Sequence, residues 1–320
     1  MYRRRRLNQK AVLPLSLLAN ALLLVLVLVL LLSGPLRRQE EPALTGVDTT
    51  ALRDYAFDYQ VSLEFLQRIL PDYLIYQHRG EYVFEPLDDK QPRHAYDWTD
   101  LVYDEAGRIL YEDENWPRAC TGVDVSQFQG DIDWPAVAAS GVECAFVRLG
   151  YRGYSQGALH EDDKAAANLK GAAAAGLKVG AYVFSQAISE EEAVAEAELA
   201  LRVLNGRELQ LPVAFDMEEI YEEAARTDSL SREEATELAL AFCRRIEQGG
   251  YKAMIYGNTA WLSARLDRSR LQDYPVWLAQ YNYRPLYPYE FAVWQYTAAA
   301  TVPGISGEAD LNICFDPDAL

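Results

Sequence analysis

The sequence predicts an α/β protein: an irregular TIM-like (β/α) barrel with few helices late, preceded by a transmembrane helix and a small α+β segment. Three observations support this prediction. A long uncharged run lies near the N-terminus, apolar strand-like runs alternate with Ala-rich helical stretches after residue 119, and acidic residues follow several of those runs. Such alternation is typical of a parallel sheet whose two faces are covered by helices.

The N-terminus predicts a membrane anchor. Residues 11–33 (AVLPLSLLANALLLVLVLVLLLS) contain no charged residue, and a helix of about 20 apolar residues spans a hydrocarbon core of about 30 Å. The basic tail of residues 1–10 would stay in the cytoplasm and leave the rest of the chain outside the cell membrane. A cleaved signal peptide is the alternative, but it has a shorter apolar region and a small-residue cleavage site, which LLSGPLRRQ lacks.

The charge of the chain excludes one class of partner. The 320 residues have a formal net charge of −18, and five of the 30 basic residues lie in the first ten positions, before any acid. The remainder is therefore more acidic than the whole. Such a body is not expected to bind nucleic acid or an anionic membrane surface.

Two segments separate the anchor from the barrel. Residues 34–50 are polar with Pro and Gly, which predicts a linker. Residues 51–118 predict a small α+β membrane-proximal segment, because apolar residues recur at helical spacing and two short strand pairs follow. We predict no chemistry in this segment and interpret His78 and His94 as ordinary surface residues.

Residues 119–320 predict the barrel itself. About eight strand-like runs occur in about 200 residues, and little helical sequence separates the last runs, PVWLAQY and FAVWQYT. Barrels of this type carry their sites at the C-terminal ends of the strands. The side chains predicted to lie at those ends are Asp124, Arg148, Asp216, Glu218 and Tyr281.

The stretch AFDMEE gives the clearest sign of chemistry. Asp216 and Glu218 follow the apolar run LPVAF at a spacing of two, so a strand would place both on one face. Two like charges side by side are unfavourable unless solvent, a cation or a substrate compensates. A solvated loop start is the ordinary explanation, but the end of a barrel strand favours a functional pair.

Five short motifs occur in an order that resembles the glycoside hydrolase family 25 lysozymes, the N,O-diacetylmuramidases. They are GVDVSQFQGDIDW (122–134), VGAYVF (179–184), FDMEE (215–219), VWQYT (293–297) and DLN (310–312). One such motif alone has little specificity, but five in the family's order are specific. The resemblance covers about residues 119–320 and implies a muramidase that hydrolyses the β-1,4 bond between N-acetylmuramic acid and N-acetylglucosamine in peptidoglycan glycan strands, without a cofactor.

The resemblance also implies roles for single residues. Glu218 matches the proton donor, and Asp216 matches the carboxylate that stabilises the developing charge or orients the 2-acetamido group. Asp124 and Asp310 match supporting acids. The aromatic residues Tyr182, Phe184, Tyr281, Trp294 and Tyr296 match positions that line the glycan groove. Arg148, at a predicted strand end, is added to them as a predicted substrate-binding residue.

These roles agree with the chemistry of glycoside hydrolysis. One carboxyl must donate a proton to the leaving oxygen, and a second must face an oxocarbenium-like centre as a carboxylate. Close carboxyls cannot all ionise easily, so at least one pKa rises. The 2-acetamido group of the substrate can also act as the nucleophile, and the sequence leaves both routes open.

Three alternatives remain at this stage. The barrel could be a catalytically inactive peptidoglycan-binding module with a structural role at the cell wall. It could be a metal-dependent deacetylase with Asp124, Asp216 and Glu218 as ligands, although such sites recruit histidine and the barrel sequence offers only His160. A role in a wall or division complex is compatible with catalysis, and residues 51–118 would then dock the partner.

The cysteines leave the redox state open. Cys120, Cys144, Cys243 and Cys314 could form up to two disulfides in three pairings, or remain free buried thiols. No CxxC motif occurs, so we expect no structural zinc site. Packing roles are predicted for Trp134 and Trp277. Asp133 is expected either to cap a helix or to lie at the barrel mouth.

Overall fold

The computed structural model describes residues 49–220 and 225–320. Thr49–Leu320 forms one compact unit. The predicted basic tail (1–10), the anchor (11–33) and the linker up to residue 48 lie outside the described residues. Among the helices that are described, none is both long enough and apolar enough to cross a bilayer.

Eight strands form a closed barrel in the described part of the chain. They are β5 (Cys120–Val125), β6 (Val142–Arg152), β8 (Lys178–Ser185), β9 (Val213–Met217), β10 (Ala253–Asn258), β11 (Val276–Ala279), β12 (Val293–Ala300) and β13 (Ala309–Cys314). Five short strands lie outside the ring: β1 (Tyr73–His78), β2 (Glu81–Pro86), β3 (Leu101–Tyr103), β4 (Ile109–Tyr111) and β7 (Leu159–Glu161). The predicted α/β barrel is thus confirmed.

One strand of the ring runs against the others. The seven ring strands β5, β6 and β8 to β12 pair in parallel, and β13 closes the ring antiparallel to both β12 and β5. The first residues of β13 therefore lie at the same end of the barrel as the last residues of the other strands. This places Asp310 directly opposite Asp124 in register.

Helices cover the outside of the early strands. In the hairpin before the barrel, α1 (Thr49–Tyr59) and α2 (Leu63–Ile69) pack on β2 and β1. The barrel strands are covered by α3 (Trp134–Ala139), α4 (Ala165–Ala174), α5 (Glu190–Leu204) and α6 (Arg232–Gln248). Ser189 caps α5, and Ser231 with Glu234 forms a capping box on α6, which satisfies backbone N–H groups that have no partner within the helix. Only a π turn (Trp261–Arg265) and a 3-10 turn (Arg268–Arg270) separate β10 from β11.

The core has an inner and an outer layer because successive strand residues point to opposite faces. Phe146 and Trp277 stack inside the barrel with ring centroids 4.4 Å apart. Trp134, the first residue of α3, is buried in the outer layer. Asp133 caps α3, since its carboxylate accepts a hydrogen bond of 3.3 Å from the Ala136 N–H. Both tryptophans therefore pack as predicted, and Asp133 is the helix cap.

Residues before the barrel pack against its outer surface. The β1–β2 and β3–β4 hairpins contribute Leu74 and Ile109 to the hydrophobic core that the barrel's outer layer forms. Tyr96 stacks on Phe315 at 3.8 Å. His94 lies among the same rings, and burial lowers its pKa to about 4. His94 is thus a packing residue rather than the ordinary surface residue we expected.

Candidate active site

Four acidic side chains meet at the mouth of the barrel. Asp124 lies near the end of β5, Asp216 lies near the end of β9, and Glu218 follows β9 directly. Asp310 joins them because β13 is antiparallel. The charge of Asp124 contributes to the raised pKa of each of the other three carboxyls, so all four lie within electrostatic reach.

Asp124 is held at the floor of this cluster. Its Oδ2 atom accepts hydrogen bonds from Gln295 Nε2 at 3.0 Å and from Asn312 Nδ2 at 2.8 Å. Trp277 Nε1 donates to Asn312 Oδ1 at 2.7 Å, which fixes the amide so that its NH₂ group faces Asp124. Burial raises the pKa of Asp124, and the two amide donors oppose that rise. The arrangement suits a carboxylate that only accepts hydrogen bonds.

Asp216 and Glu218 form the central pair. Asp216 is buried, and its Oδ1 atom has no hydrogen-bond partner among the described residues. Burial raises the pKa of Asp216 well above its usual value, and the charge of Glu218 raises it further. Glu218 is partly exposed at the mouth. Its carboxyl is nevertheless shielded enough from solvent that burial raises its pKa as well. The pair therefore retains a proton where an isolated carboxyl would have lost it.

Asp310 is the fourth acid of the cluster. Burial raises its pKa to about 9, with a further contribution from the charge of Asp124. Its folded-state pKa thus lies above its unfolded value near 3.8. Asp310 stabilises the fold most below pH 4, and this contribution is lost as the pH rises toward 9.

Replacing Asp310 by Asn is therefore expected to stabilise the fold at pH 8 by roughly 1–3 kcal/mol and to change it little at pH 4. Thermal unfolding of both proteins at the two pH values measures this difference. Asp131→Asn is the matched control, because Asp131 is an exposed acid paired with Lys164. A gain that is equal at pH 4 and pH 8 would contradict the raised pKa of Asp310.

Two tyrosines connect the acids to the rim. Tyr256 Oη and Tyr281 Oη donate to Gln295 Oε1 at 2.8 and 2.9 Å. Gln295 in turn donates to Asp124. Tyr256 is buried, whereas 57% of Tyr281 is exposed, so Tyr281 offers a ring to a ligand at the mouth.

The structure brings Tyr182 and Phe184 to the acids as well. Both lie in β8 and are partly buried. Phe184 is opposite Asp216 in the parallel register of β8 and β9. Burial raises the pKa of Tyr182, with further contributions from Asp124 and other acids of the cluster. These rings and Tyr281 therefore border the acidic mouth.

Arg148 provides a cation beside the acids. Its Nε atom donates to Asp162 Oδ2 at 2.8 Å, and its Nη2 atom has no partner among the described residues. The guanidinium lies 5.0 Å from the ring centroid of Phe128, which is 77% exposed. The positive charge of Arg148 partly opposes the raised pKa of Asp216. Arg148 thus places a largely buried positive charge beside Asp216, with one nitrogen that has no partner among the described residues.

Trp294 and Tyr296 do not lie in the groove, which corrects our prediction. Trp294 is fully buried in the outer core layer, where its Nε1 atom donates to Gln280 O at 2.8 Å. Tyr296 packs beside Trp294 with ring centroids 5.6 Å apart. Because side chains alternate along β12, the residue between them, Gln295, is the one that points into the barrel.

Three site residues were missed from the sequence: Tyr256, Gln295 and Asn312. A signal was available for the last two, since Gln295 lies in VWQYT and Asn312 in DLN. Because side chains alternate along a strand, Asn312 lies on the same face as Asp310, and Gln295 lies on the face opposite to Trp294 and Tyr296. Tyr256 lies in KAMIYGN, where nothing distinguishes it from a core tyrosine.

Three thiols converge at the opposite end of the barrel. The sulfur atoms of Cys120, Cys144 and Cys314 lie within 4.8 Å of one another, so among the described residues this group could hold a soft metal ion. All four cysteines are free thiols, and Cys243 lies in the outer core layer. The structure therefore favours free thiols, three of them buried, over a pair of disulfides.

Comparisons with known proteins agree with this geometry. The family model of the glycosyl hydrolases family 25 matches residues 123–305. The autolytic lysozyme of Clostridium acetobutylicum is 28% identical over 192 residues, which are 60% of this chain and 54% of that protein. Lysozyme M1 of Streptomyces globisporus is 26% identical over 200 residues, which are 60% of this chain and 66% of that protein.

A solved structure shares the fold. The family 25 glycosyl hydrolase from Bacillus anthracis superposes with a TM-score of 0.54 at 22% identity and covers 66% of this chain and 95% of its own. The alignments span about half to two thirds of the two lysozymes. The matched family region begins at β5 and excludes the hairpins before it.

Proposed function

This chain belongs to the glycosyl hydrolases family 25, and from that premise we propose that it is a membrane-anchored, outward-facing muramidase. Its substrate would be the β-1,4 bond between N-acetylmuramic acid and N-acetylglucosamine in peptidoglycan. The family model supports a glycoside hydrolase, and the two lysozymes support peptidoglycan as the substrate.

The observation that carries this proposal is the convergence of four carboxyls with raised pKa at the barrel mouth. Hydrolysis of a glycosidic bond needs a carboxyl that still holds its proton near neutral pH. Burial and like charge at Glu218 and Asp216 favour the protonated form. Glu218 is the more exposed of the two, so we assign it as the general acid that protonates the leaving oxygen.

Asp216 would act from below the sugar ring. Its buried Oδ1 atom has no partner among the described residues, and we propose that a group of the substrate supplies one. In the ionised form it would stabilise an oxocarbenium-like centre, and it could equally accept a hydrogen bond from the 2-acetamido N–H. Asp124, fixed by two amide donors, and Asp310 would support this charge distribution.

The groove offers suitable surfaces for a glycan. Tyr182, Phe184 and Tyr281 present rings around the acids, and a flat apolar face with a polar tip suits a pyranose. Arg148 would bind a carboxylate or carbonyl of the substrate through its unpartnered Nη2. The barrel used only to bind glycan, without hydrolysis, is the rival function.

The anchor is proposed from the sequence alone. The uncharged run 11–33 with the basic tail before it supports a single span with the N-terminus in the cytoplasm. The barrel would then face the wall. Residues 51–118 remain the proposed contact for a wall or division partner.

One experiment tests the activity and the anchor together. The full chain and residues 36–320 are each expressed, fractionated and incubated with purified peptidoglycan, and soluble products are analysed by mass spectrometry. Products ending in reducing muramic acid are expected, from the membrane fraction for the full chain and from the soluble fraction for residues 36–320. Wall binding without product release would instead support the inactive binding module. Activity of the full chain in the soluble fraction would refute the proposed membrane anchor.

A further inference from the structure

Two residues at the turn of the β1–β2 hairpin contact Glu219, the residue that follows the proposed general acid Glu218. His78 Nε2 lies 2.7 Å from Glu219 Oε2, and Arg79 Nη2 lies 2.9 Å from Glu219 Oε1. Arg79 Nε also donates to Oε1 at 3.1 Å. The Glu219 side chain is only 6% exposed. A nearly buried carboxylate, adjacent in sequence to Glu218, is thus held by two side chains from outside the barrel.

Packing and turn geometry define the conformation of the hairpin. Leu74, Ile75 and Tyr76 of β1 are buried. Arg79 and Gly80 both have positive φ values, +51° and +81°. Two such residues between paired strands form the type I′ turn that matches the twist of a hairpin. A positive φ is unusual for arginine, and it holds the guanidinium at the tip of a fixed turn.

The barrel holds the same short segment from its other side. Gln186 Nε2 donates to the backbone carbonyl of Glu218 at 3.1 Å, and Thr227 Oγ1 donates to Gln186 Oε1 at 3.1 Å. Arg79 Nη2 also lies 3.4 Å from Asp228 Oδ1, next to Thr227. The main chain of Glu218 is therefore fixed by the barrel, and the following side chain is fixed by the hairpin.

We propose that His78 and Arg79 are positioning residues for the hydrolytic reaction: they hold Glu219 and thereby aim the Glu218 carboxyl at the acid cluster. This inference rests on the proposed function of Glu218. Both residues lie before residues 123–305, the part of the chain that matches the family model. The contact with Glu219 therefore comes from a hairpin that lies outside the region matched by the family model.

Catalytic geometry is sensitive to such a contact. A displacement of about 1 Å at a reacting group can lower a rate about a hundredfold. Loss of the His78 and Arg79 contacts with Glu219 should therefore reduce kcat more than KM. The value of kcat depends on the orientation of the Glu218 carboxyl, whereas KM depends on substrate binding in the groove. A contact that only fastened the hairpin to the barrel would change the melting temperature and leave kcat unchanged.

The test uses the full chain in detergent and a defined soluble peptidoglycan fragment. Arg79→Ala and Glu219→Gln are each expected to lower kcat about 10- to 100-fold with KM changed less than threefold. The double variant should lose no more than the worse single variant, because both act on one contact. Arg79→Lys should recover part of the rate. Arg118→Ala is the control, since Arg118 pairs with Asp318 in an exposed bridge away from the acids.

Two results would overturn the proposal: wild-type kcat in Glu219→Gln, or losses that add fully in the double variant. Glu219→Gln keeps the size of the side chain, so it remains informative if Arg79→Ala fails to fold. A wild-type protein without activity would refute the proposed function alone. Positioning is then read from the carboxyl ¹³C titration of Glu218, which Arg79→Ala and Glu219→Gln should both shift by more than about half a pH unit. An unchanged Glu218 titration in both variants would refute the proposal that His78 and Arg79 position Glu218.

Discussion

Glu218→Gln is expected to lower the rate of peptidoglycan hydrolysis about a thousandfold and to leave glycan binding nearly unchanged. Glutamine has the size of glutamate but cannot donate a carboxyl proton to the leaving oxygen. Glu218 is the one acid of the cluster that combines partial exposure with a position directly after β9. Initial rates of reducing-end release, measured beside co-sedimentation with purified peptidoglycan, separate the two effects.

Glu208→Gln is the matched control for this substitution. Glu208 is exposed and lies between α5 and β9, at the barrel end opposite the acids, so its loss should leave the rate within about twofold of wild type. If Glu218→Gln retained a tenth of the wild-type rate, another acid would be the proton donor. Equal inactivity of both variants and of the wild type would favour the binding module.

The pH dependence follows from the same carboxyl. Burial raises the pKa of Glu218 above its usual value of 4.5. The active form is protonated, so the rate should fall as the pH rises through that raised pKa. An exposed glutamate would already have lost its proton near pH 5, and the rate would decline from there.

Sequence periodicity predicted the positions of Asp216 and Glu218 correctly, whereas the resemblance alone misplaced two of the aromatic residues. A spacing of two in FDMEE predicted that Asp216 and Glu218 lie on one face at the end of a barrel strand, where the structure has them, whereas Asp310 was predicted from the family resemblance alone. The family resemblance assigns Trp294 and Tyr296 to the groove, although the alternation of side chains along a strand places both on the face opposite to Gln295. Strand register, rather than residue type, decides which side chains enter the barrel.

Contacts between distant segments had no local signal. His78 and Glu219 are 141 residues apart, and the hairpin sequence HRGE predicts a turn without indicating what the turn contacts. His94 likewise looked like a surface residue because its burial depends on Phe291 and Tyr96, brought together only by folding. The alternation that predicted the barrel reports which faces are buried, and it carries no information on which loops meet.

The direction of the last strand also required the structure. A parallel sheet of the usual kind alternates each strand with a crossover helix, and the helical sequence ends after α6. The short connection between β12 and β13 permits an antiparallel return. That return brings Asp310 to the mouth. In a parallel strand the same residue would lie at the opposite end.

Asp216→Asn is expected to lower kcat about 100- to 1000-fold with little change in KM, because Asp216 acts on the charge that develops in the transition state. Asparagine keeps the shape of the side chain and removes its charge. Burial raises the pKa of Asp216 well above normal, so the variant should be at least as stable as wild type at neutral pH. Thermal unfolding beside the kinetics excludes a folding defect.

The substrate then decides what Asp216 does. On a glycan whose 2-amino groups lack acetyl, a substrate-assisted reaction cannot proceed, because the acetamido oxygen that attacks the sugar carbon is missing. If the wild type cleaves only the acetylated glycan and Asp216→Asn is impaired on it, Asp216 orients the acetamido group. Cleavage of both glycans by the wild type, with equal losses in the variant, would make Asp216 act directly on the sugar. Asp163→Asn, at an exposed acid beside the same mouth, should match wild type on both. A rate for Asp216→Asn within threefold of wild type would show that neither Asp216 nor its unpartnered oxygen takes part in catalysis.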